Sequence, residues 1–311
     1  MKNILVTGAF GQIGSELVPA LQTKFGMDHV VAIGHHTIPK DFKGIVETAE
    51  IGEGDKIESI IKKYSIDTVY HLVSLLSAKG EIDPSLTWQI NMGGLKTILD
   101  LAVTYKLKVF WPSSIAAFGP TTPRVNTPQR TVLEPTTMYG VTKVAGELLV
   151  AYYVKKFGID IRSVRYPGII SWKTPPGGGT TDYAVAIFYE GLQKGKYECF
   201  VRPDTTLPMM YMDDAVRGTM ELMEADPIKL TVRTSYNLAA ISFTAEDLAK
   251  EINKHLKVDV TYKPDFHQAI ADSWPESIDD ATARNDWGWK HEYTLEKMTT
   301  VMIEELKKKL V

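Results

Sequence analysis

Tyr139 and Lys143 stand four residues apart in "MYGVTKVAGELL", a spacing that puts both side chains on one face of a helix. An ammonium beside a phenol favours the phenolate and draws a pKa of about 10 toward the working range. Tyr139 would then be a general base for a substrate hydroxyl. Upstream, "FWPSSIAAFG" closes a strand-like run on Ser113 and Ser114, where a hydroxyl would bond the same substrate oxygen. Alone, a Tyr/Lys pair at this spacing is usually a solvated surface pair, and serines at a strand end are usually a turn or cap. Their meaning depends on the elements that hold them.

Short β-branched runs alternate with amphipathic stretches over the first two-thirds of the chain, the pattern of a parallel α/β sheet. Strands are expected at Ile4–Val6, Val30–Ile33, Val69–Leu72, Val109–Trp111 and Ile161–Tyr166. These runs lack polar alternation, as in strands covered on both faces. Leu95, Ile98, Leu99 and Ala102 recur at helical spacing, and residues 145–157 read as another helix. After Tyr166 comes "YPGIISWKTPPGGGTTDY", too irregular for a helix and too long for a tight turn. A helix further on opens with Thr244 and, three residues later, Asp247, a variant of the N-cap box. The expectation is a Rossmann-type doubly wound parallel sheet over residues 1–167, with later segments returning to it. Residues 168–311 would form a smaller C-terminal α/β lobe that binds substrate.

"VTGAFGQIG" supplies Gly8, Gly11 and Gly14 between the first strand and the first helix. Gly8 permits the tight turn, Gly11 lets backbone approach a pyrophosphate, and Gly14 lets the helix pack on the strand. The helix N-terminus then faces the phosphates. Gln12 and Ile13, in the same loop, count with the glycines as cofactor-contacting positions. A dinucleotide site of this kind ordinarily closes its second strand on an acidic residue for the adenosine ribose. Here "AIGHH" offers Gly34, then His35 and His36. An NADP site would add an Arg, and none follows. NAD is therefore the expected cofactor, with looser discrimination than an Asp would give, and His35 is the nearest group to the ribose.

The composition narrows the partners. A formal charge of −3 argues against a nucleic acid, whose binders carry a basic face. No apolar run approaches the ~18 residues that span a bilayer, and "MKNILVTG" lacks the long apolar region of a secretory signal. Cys199 is the only cysteine and reads as a small buried hydrophobe. His35 and His36 are adjacent and point apart, so no metal site is expected. A cytoplasmic protein is expected, although a processed organellar form would share these features.

Glycine loop, serine and Tyr/Lys pair together resemble the extended short-chain dehydrogenase/reductase family, whose pattern is TGxxGxxG, a serine, then YxxxK. Thr7 to Gly14, Ser114 and Tyr139 with Lys143 carry the match. The resemblance selects Ser114 over Ser113 as catalytic, with Tyr139 and Lys143. It implies cofactor contacts at Asn91 ("QINMGG"), Leu72 ("HLVS"), Tyr166 ("YPGII"), Glu50 and Ile51 ("TAEIG"), besides Tyr139 and Lys143 themselves. "LLSAKGE", "PSSIAAFGP", "PPGGGTTDYAV", "LPMMYMDD" and "ADSWPESIDD" are similar to the L-threonine 3-dehydrogenase branch, over nearly the whole chain.

That branch implies oxidation of the C3 hydroxyl of L-threonine to 2-amino-3-ketobutyrate with hydride transfer to NAD. A small zwitterion needs donors for its carboxylate, a partner for its ammonium and a shape for one methyl. "GGGTTDY" offers the amide of Gly178 and the hydroxyls of Thr180 and Thr181. Ser77 sits at the carboxyl edge of the sheet, where such folds bind ligands, and Trp274 is placed to cover the pocket. Ser114 and Tyr139 would meet the reacting oxygen, and the Gly-rich loop would close over the substrate and exclude water. Members of the family commonly dimerise through the helix before the serine and the helix bearing the Tyr/Lys pair. A homodimer is therefore expected, with Leu95, Ile98, Leu99 and Ala102 facing either the partner or the sheet. Two alternatives stay open: a nucleotide-sugar epimerase or dehydratase of the same family, and a non-catalytic NAD(P)-sensing protein.

Overall fold

The structure, a computed structural model, describes residues 1–34 and 38–310. Apolar side chains alternate between two faces along its first strands. Ile4 and Val6 of β1 (Ile4–Thr7) enter one buried cluster with Leu17, Leu21 and Tyr70. Leu5 enters another, with Ile57, Val69 and Leu95. A strand buried on both faces belongs inside a layered parallel sheet. β1 pairs in parallel with β2 (Val30–Gly34), which pairs with β3 (Ile45–Thr48). On its other side β1 meets β4 (Thr68–His71), followed by β5 (Lys108–Phe110). Past the two-residue β6 (Ser113–Ser114) in the chain, β7 (Ile161–Arg162) pairs with β5 and ends the sheet. The order β3-β2-β1-β4-β5-β7 is parallel throughout and changes direction between β1 and β4. The ligand crevice of such a sheet opens at the carboxyl ends of those two strands.

Pro112 has no amide hydrogen and interrupts the ladder after β5, so β6 pairs instead with β8 (Val164–Tyr166). The run expected as one strand at Ile161–Tyr166 is thus two strands in separate ladders, divided at Ser163. The edge strand β3 was not legible in the sequence, because it is short and only half-buried. Further ladders join β9 (Gly168–Ile170), β10 (Lys196–Cys199), β11 (Thr206–Tyr211), β12 (Tyr236–Asn237), β13 (Ile241–Thr244) and β14 (Asp259–Tyr262). β12 extends the β8–β6 ladder, β11 lies between β9 and β13, and β10 pairs with β14.

Helices α1 (Gly14–Phe25) and α2 (Gly54–Lys63) follow β1 and β3. Two short helices, α3 (Ser77–Ile82) and α4 (Pro84–Trp88), lead through a π turn at Gln89–Gly93 into α5 (Gly94–Tyr105). α6 (Met138–Phe157) precedes β7. The rest of the chain adds α7 (Tyr183–Lys194), α8 (Met212–Glu224), α9 (Ala245–Asn253), α10 (Phe266–Asp272), α11 (Ala281–Trp287) and α12 (Leu295–Leu310). Thr244 and Asp247 form the reciprocal capping box of α9. Met212, Tyr236 and Trp289 share a buried cluster with Ile4 and Val6, so segments after residue 167 cover one face of the central sheet.

Leu95, Ile98, Leu99 and Ala102 of α5 are fully buried with Val69, Val109, Trp111 and Val150. They pack on the sheet and cannot meet a second copy. The apolar side chains left exposed on α6 are Val141, Leu148, Tyr152 and Phe157. Among the described residues no helix is long and apolar enough to cross a membrane, and no group of three or more acidic, His or Cys side chains could hold a metal.

Candidate active site

The glycine loop is built as its spacing requires. Gly8 takes φ +70°, a conformation that costs other residues energy. A Cβ on Gly14 would stand 2.3 Å from the Gly8 carbonyl oxygen, so α1 approaches β1 as closely as only glycine allows. Gly11 donates to the Gly8 carbonyl at 3.1 Å, and no side chain caps this end of α1. The cradle fits a dinucleotide pyrophosphate on a helix N-terminus. Gln12 reaches from the loop to the Ile169 carbonyl at 3.3 Å and so joins it to β9. At the adenosine end, β2 stops at Gly34; His35 lies outside the described residues. Ile51 packs against Gly94 of α5, and Glu50 is exposed beyond β3.

A cavity of about 130 Å³ opens where the sheet changes direction. It brings together Gln12, Ile13, Leu72, Ser77, Ser114, Tyr139, Lys143, Tyr166, Thr180, Thr181 and Trp274, residues separated by up to most of the chain. Ser74, Leu76, Pro112, Ile115 and Asp182 line it too and were not singled out by type or spacing.

Tyr139 and Lys143 share the first turns of α6, which Thr137 caps through the Gly140 amide. Lys143 Nζ donates to the Pro112 carbonyl at 2.7 Å and lies 5.2 Å from the Tyr139 ring centre and 4.8 Å from that of Trp111. Ser114 caps a single 3₁₀ turn through the Ala116 amide at 3.2 Å, which fixes its hydroxyl at the end of β6. The sequence expectation of a lowered Tyr139 pKa does not hold for the chain alone. Burial pushes the phenol up to about 12, with the Ser114 hydroxyl pulling the other way. Burial also brings Lys143 down to about 7, against the pull of the Glu147 carboxylate. In each group desolvation outweighs the opposing contact.

On the opposite wall, Ser77 Oγ lies 3.4 Å from Thr180 Oγ1, both buried. The glycine amides are not available as expected. Gly177, Gly178 and Gly179 all donate to one oxygen of Asp182, at 2.7, 2.8 and 2.8 Å. Three converging N–H groups form an anion nest, and the chain fills it with its own carboxylate. Gly178 therefore shapes the loop, while Thr180, Thr181 and Asp182 face the cavity.

Behind the cavity stand braces. Asn91 donates to the Leu75 carbonyl and to Thr142, and accepts from the Leu75 amide at 2.8 Å. It is thus set behind the Leu72–Leu76 segment rather than in the cavity wall. The Tyr166 hydroxyl bonds Thr219, leaving its ring edge to the cavity. Glu147 and Arg165 form a buried ion pair joined by Ser113. An acid in a helix and an arginine in a strand that both read as apolar were the available signal. His71 is fully buried; it meets Thr7 through Nδ1 at 2.7 Å, and its Nε2 has no partner among the described residues.

Comparisons with known proteins agree with this fold. Residues 4–239 match the model of the NAD dependent epimerase/dehydratase family. An uncharacterized epimerase/dehydratase of Staphylococcus haemolyticus is 47% identical over 99% of both chains. Among solved structures, a monomeric L-threonine 3-dehydrogenase from a metagenome is 50% identical, covering 98% of this chain and 99% of the other, with a TM-score of 0.96. The L-threonine dehydrogenase of Phytophthora infestans is 48% identical over 99% of this chain and 100% of its own, with a TM-score of 0.97. The resemblance and the fold read from the sequence are both borne out.

Proposed function

The chain belongs to the NAD dependent epimerase/dehydratase family, and we propose that within it the protein is an L-threonine 3-dehydrogenase. The observation that carries this is the cavity itself. It sets a hydroxyl pair, a phenol and a lysine around about 130 Å³, small beside the ~300 Å³ or more of ordinary drug-sized sites. The similarity to L-threonine dehydrogenases at about half identity over nearly full length supports the same reading.

Tyr139 takes the proton from the C3 hydroxyl of threonine, and Ser114 hydrogen-bonds that oxygen and orients it. When bound, NAD supplies a cationic nicotinamide ring that accepts the hydride from C3. Gly8, Gly11, Gln12, Ile13 and Gly14 would hold its pyrophosphate, and Lys143 its nicotinamide ribose. A protonated Lys143 also lowers the cost of the phenolate in this dry site. Ser77, Thr180 and Thr181 receive the amino-acid head group, and Trp274 closes the wall. Asp182 presents the negative charge that an ammonium needs.

A nucleotide-sugar epimerase or dehydratase is the second reading, favoured by the name of the family and of the staphylococcal relative. Such a substrate needs cations for its diphosphate. Arg202 instead pairs with Asp272 and Asp204, and Arg217 with Asp214, Glu221 and Glu292. The discriminating experiment is NADH formation with L-threonine beside a UDP-sugar panel. Threonine-dependent NADH is the expected result; conversion of a UDP-sugar with no threonine signal overturns it. For assembly we propose a homodimer through the exposed apolar face of α6.

A further inference from the structure

Gly34 closes β2, where a dinucleotide fold ordinarily carries the acid that accepts the adenosine ribose hydroxyls and repels a 2′-phosphate. The position is not merely vacant of charge. A Cβ on Gly34 would stand 2.7 Å from Phe10 Cε2, 2.8 Å from Phe10 Cδ2 and 2.8 Å from Ile38 Cγ1, well inside normal carbon contact. Phe10 belongs to the glycine loop, between Gly8 and Gly11. Its ring stands edge-on to Phe42, centres 5.1 Å apart at 88°, and both pack on the cluster beneath β1 and β2. Ring and strand end are therefore fitted to each other.

We propose that Phe10 is a specificity-determining residue: its ring occupies the volume of the missing carboxylate and gives the adenosine ribose an apolar wall. Position 34 then carries no carboxylate to reject a 2′-phosphate. NADP is accepted with only the modest penalty of desolvating its extra phosphate. This rests on dinucleotide binding, not on threonine as substrate.

Calorimetric titration of the protein with NAD and with NADP tests it without turnover. The ratio of NADP to NAD dissociation constants is expected to be below about tenfold in the native chain. Gly34→Asp should weaken both cofactors and leave that ratio within about threefold, because Phe10 bars the carboxylate from the cleft. Phe10→Ala with Gly34→Asp should raise the ratio at least about tenfold. A native ratio above that bound, discrimination gained by Gly34→Asp alone, or none gained by the double variant overturns the proposal. If the double variant unfolds on heating below the native chain, Phe10→Ala alone decides. Both cofactors should then weaken together, and unchanged affinities overturn the proposal. A protein inactive on threonine still gives these titrations, so the two readings fail separately.

Discussion

Glu147 and Arg165 meet inside the protein as a two-point pair, Oε1 accepting from Nε at 2.8 Å and Oε2 from Nη2 at 2.7 Å. Glu147 lies one helical turn beyond Lys143 and also accepts from Ser113 at 2.7 Å. One carboxylate thus ties the helix carrying Tyr139 and Lys143 to the strands carrying Ser114 and Tyr166. Arg165→Met leaves a buried, unpaired carboxylate and should cost about 3–5 kcal/mol of stability. Urea unfolding measures it, and Glu147→Gln with Arg165→Met should recover most of the loss. A single-variant loss below about 1 kcal/mol would show that the pair is no brace.

Tyr139→Phe removes the proposed base and keeps the ring that packs beside Lys143. Threonine-dependent NADH formation should fall by at least about a hundredfold in kcat, with the NAD dissociation constant unchanged. Retained turnover removes Tyr139 from the mechanism. A lost NAD affinity would mean instead that the phenol acts in binding.

Asp182 holds three amides of the loop on one oxygen, so Asp182→Ala releases Gly177, Gly178 and Gly179 together. It also deletes the negative charge proposed for the substrate ammonium. KM for threonine should rise by about tenfold or more while NAD affinity stays constant. Asp182→Asn keeps an acceptor for the loop but not the charge, and should restore loop order without restoring KM. Equal KM for native and Asn variants would limit Asp182 to shaping the loop.

The glycine loop, the Tyr/Lys spacing and the serine were legible in the sequence because each depends on neighbours a few residues away. Thr180 and Trp274 were legible only through resemblance, since no local pattern says that residues 77, 180 and 274 converge. The Gly177–Gly179 amides misled for a physical reason. Backbone donors look available in a sequence, whereas a folded loop, even an exposed one, turns them onto an acceptor close in the chain, here Asp182. The lowered Tyr139 pKa failed likewise: spacing reports the lysine, and only burial reports that desolvation wins.

The exposed apolar face of α6 calls for cover, and Leu148 and Tyr152 are more than half exposed on it. Leu148→Glu with Tyr152→Glu should convert a dimer to a monomer in light scattering with unchanged far-ultraviolet circular dichroism. Contiguous exposed apolar surface of this kind marks an association site. A native chain that scatters as a monomer at all concentrations, as the metagenomic relative's description would suggest for that protein, overturns the dimer proposal.

Lys143 gives the chain a distinctive pH dependence. Its ordinary value is 10.5, and burial lowers it to about 7 in the folded chain. Between those values the unfolded chain holds a proton that the folded chain has lost, so stability rises with pH, by at most about 1.4 kcal/mol per unit. Below pH 7 both states are protonated and the slope vanishes; above 10.5 the contribution is complete. Tyr139 opposes this only above its ordinary 10.0, where the unfolded phenol ionises before the buried one. The buried Cys199 thiol, raised from its ordinary 9.0 to about 11, adds an opposite slope in the same range, so urea unfolding between about pH 7.5 and pH 9.5 isolates the lysine only as the difference between two chains. Lys143→Met keeps the length and removes the charge, so its stability should rise less steeply than that of the native chain over this range. Parallel curves would mean that the buried ammonium keeps its proton, held by the Pro112 carbonyl and the Glu147 carboxylate, and that desolvation does not dominate this site.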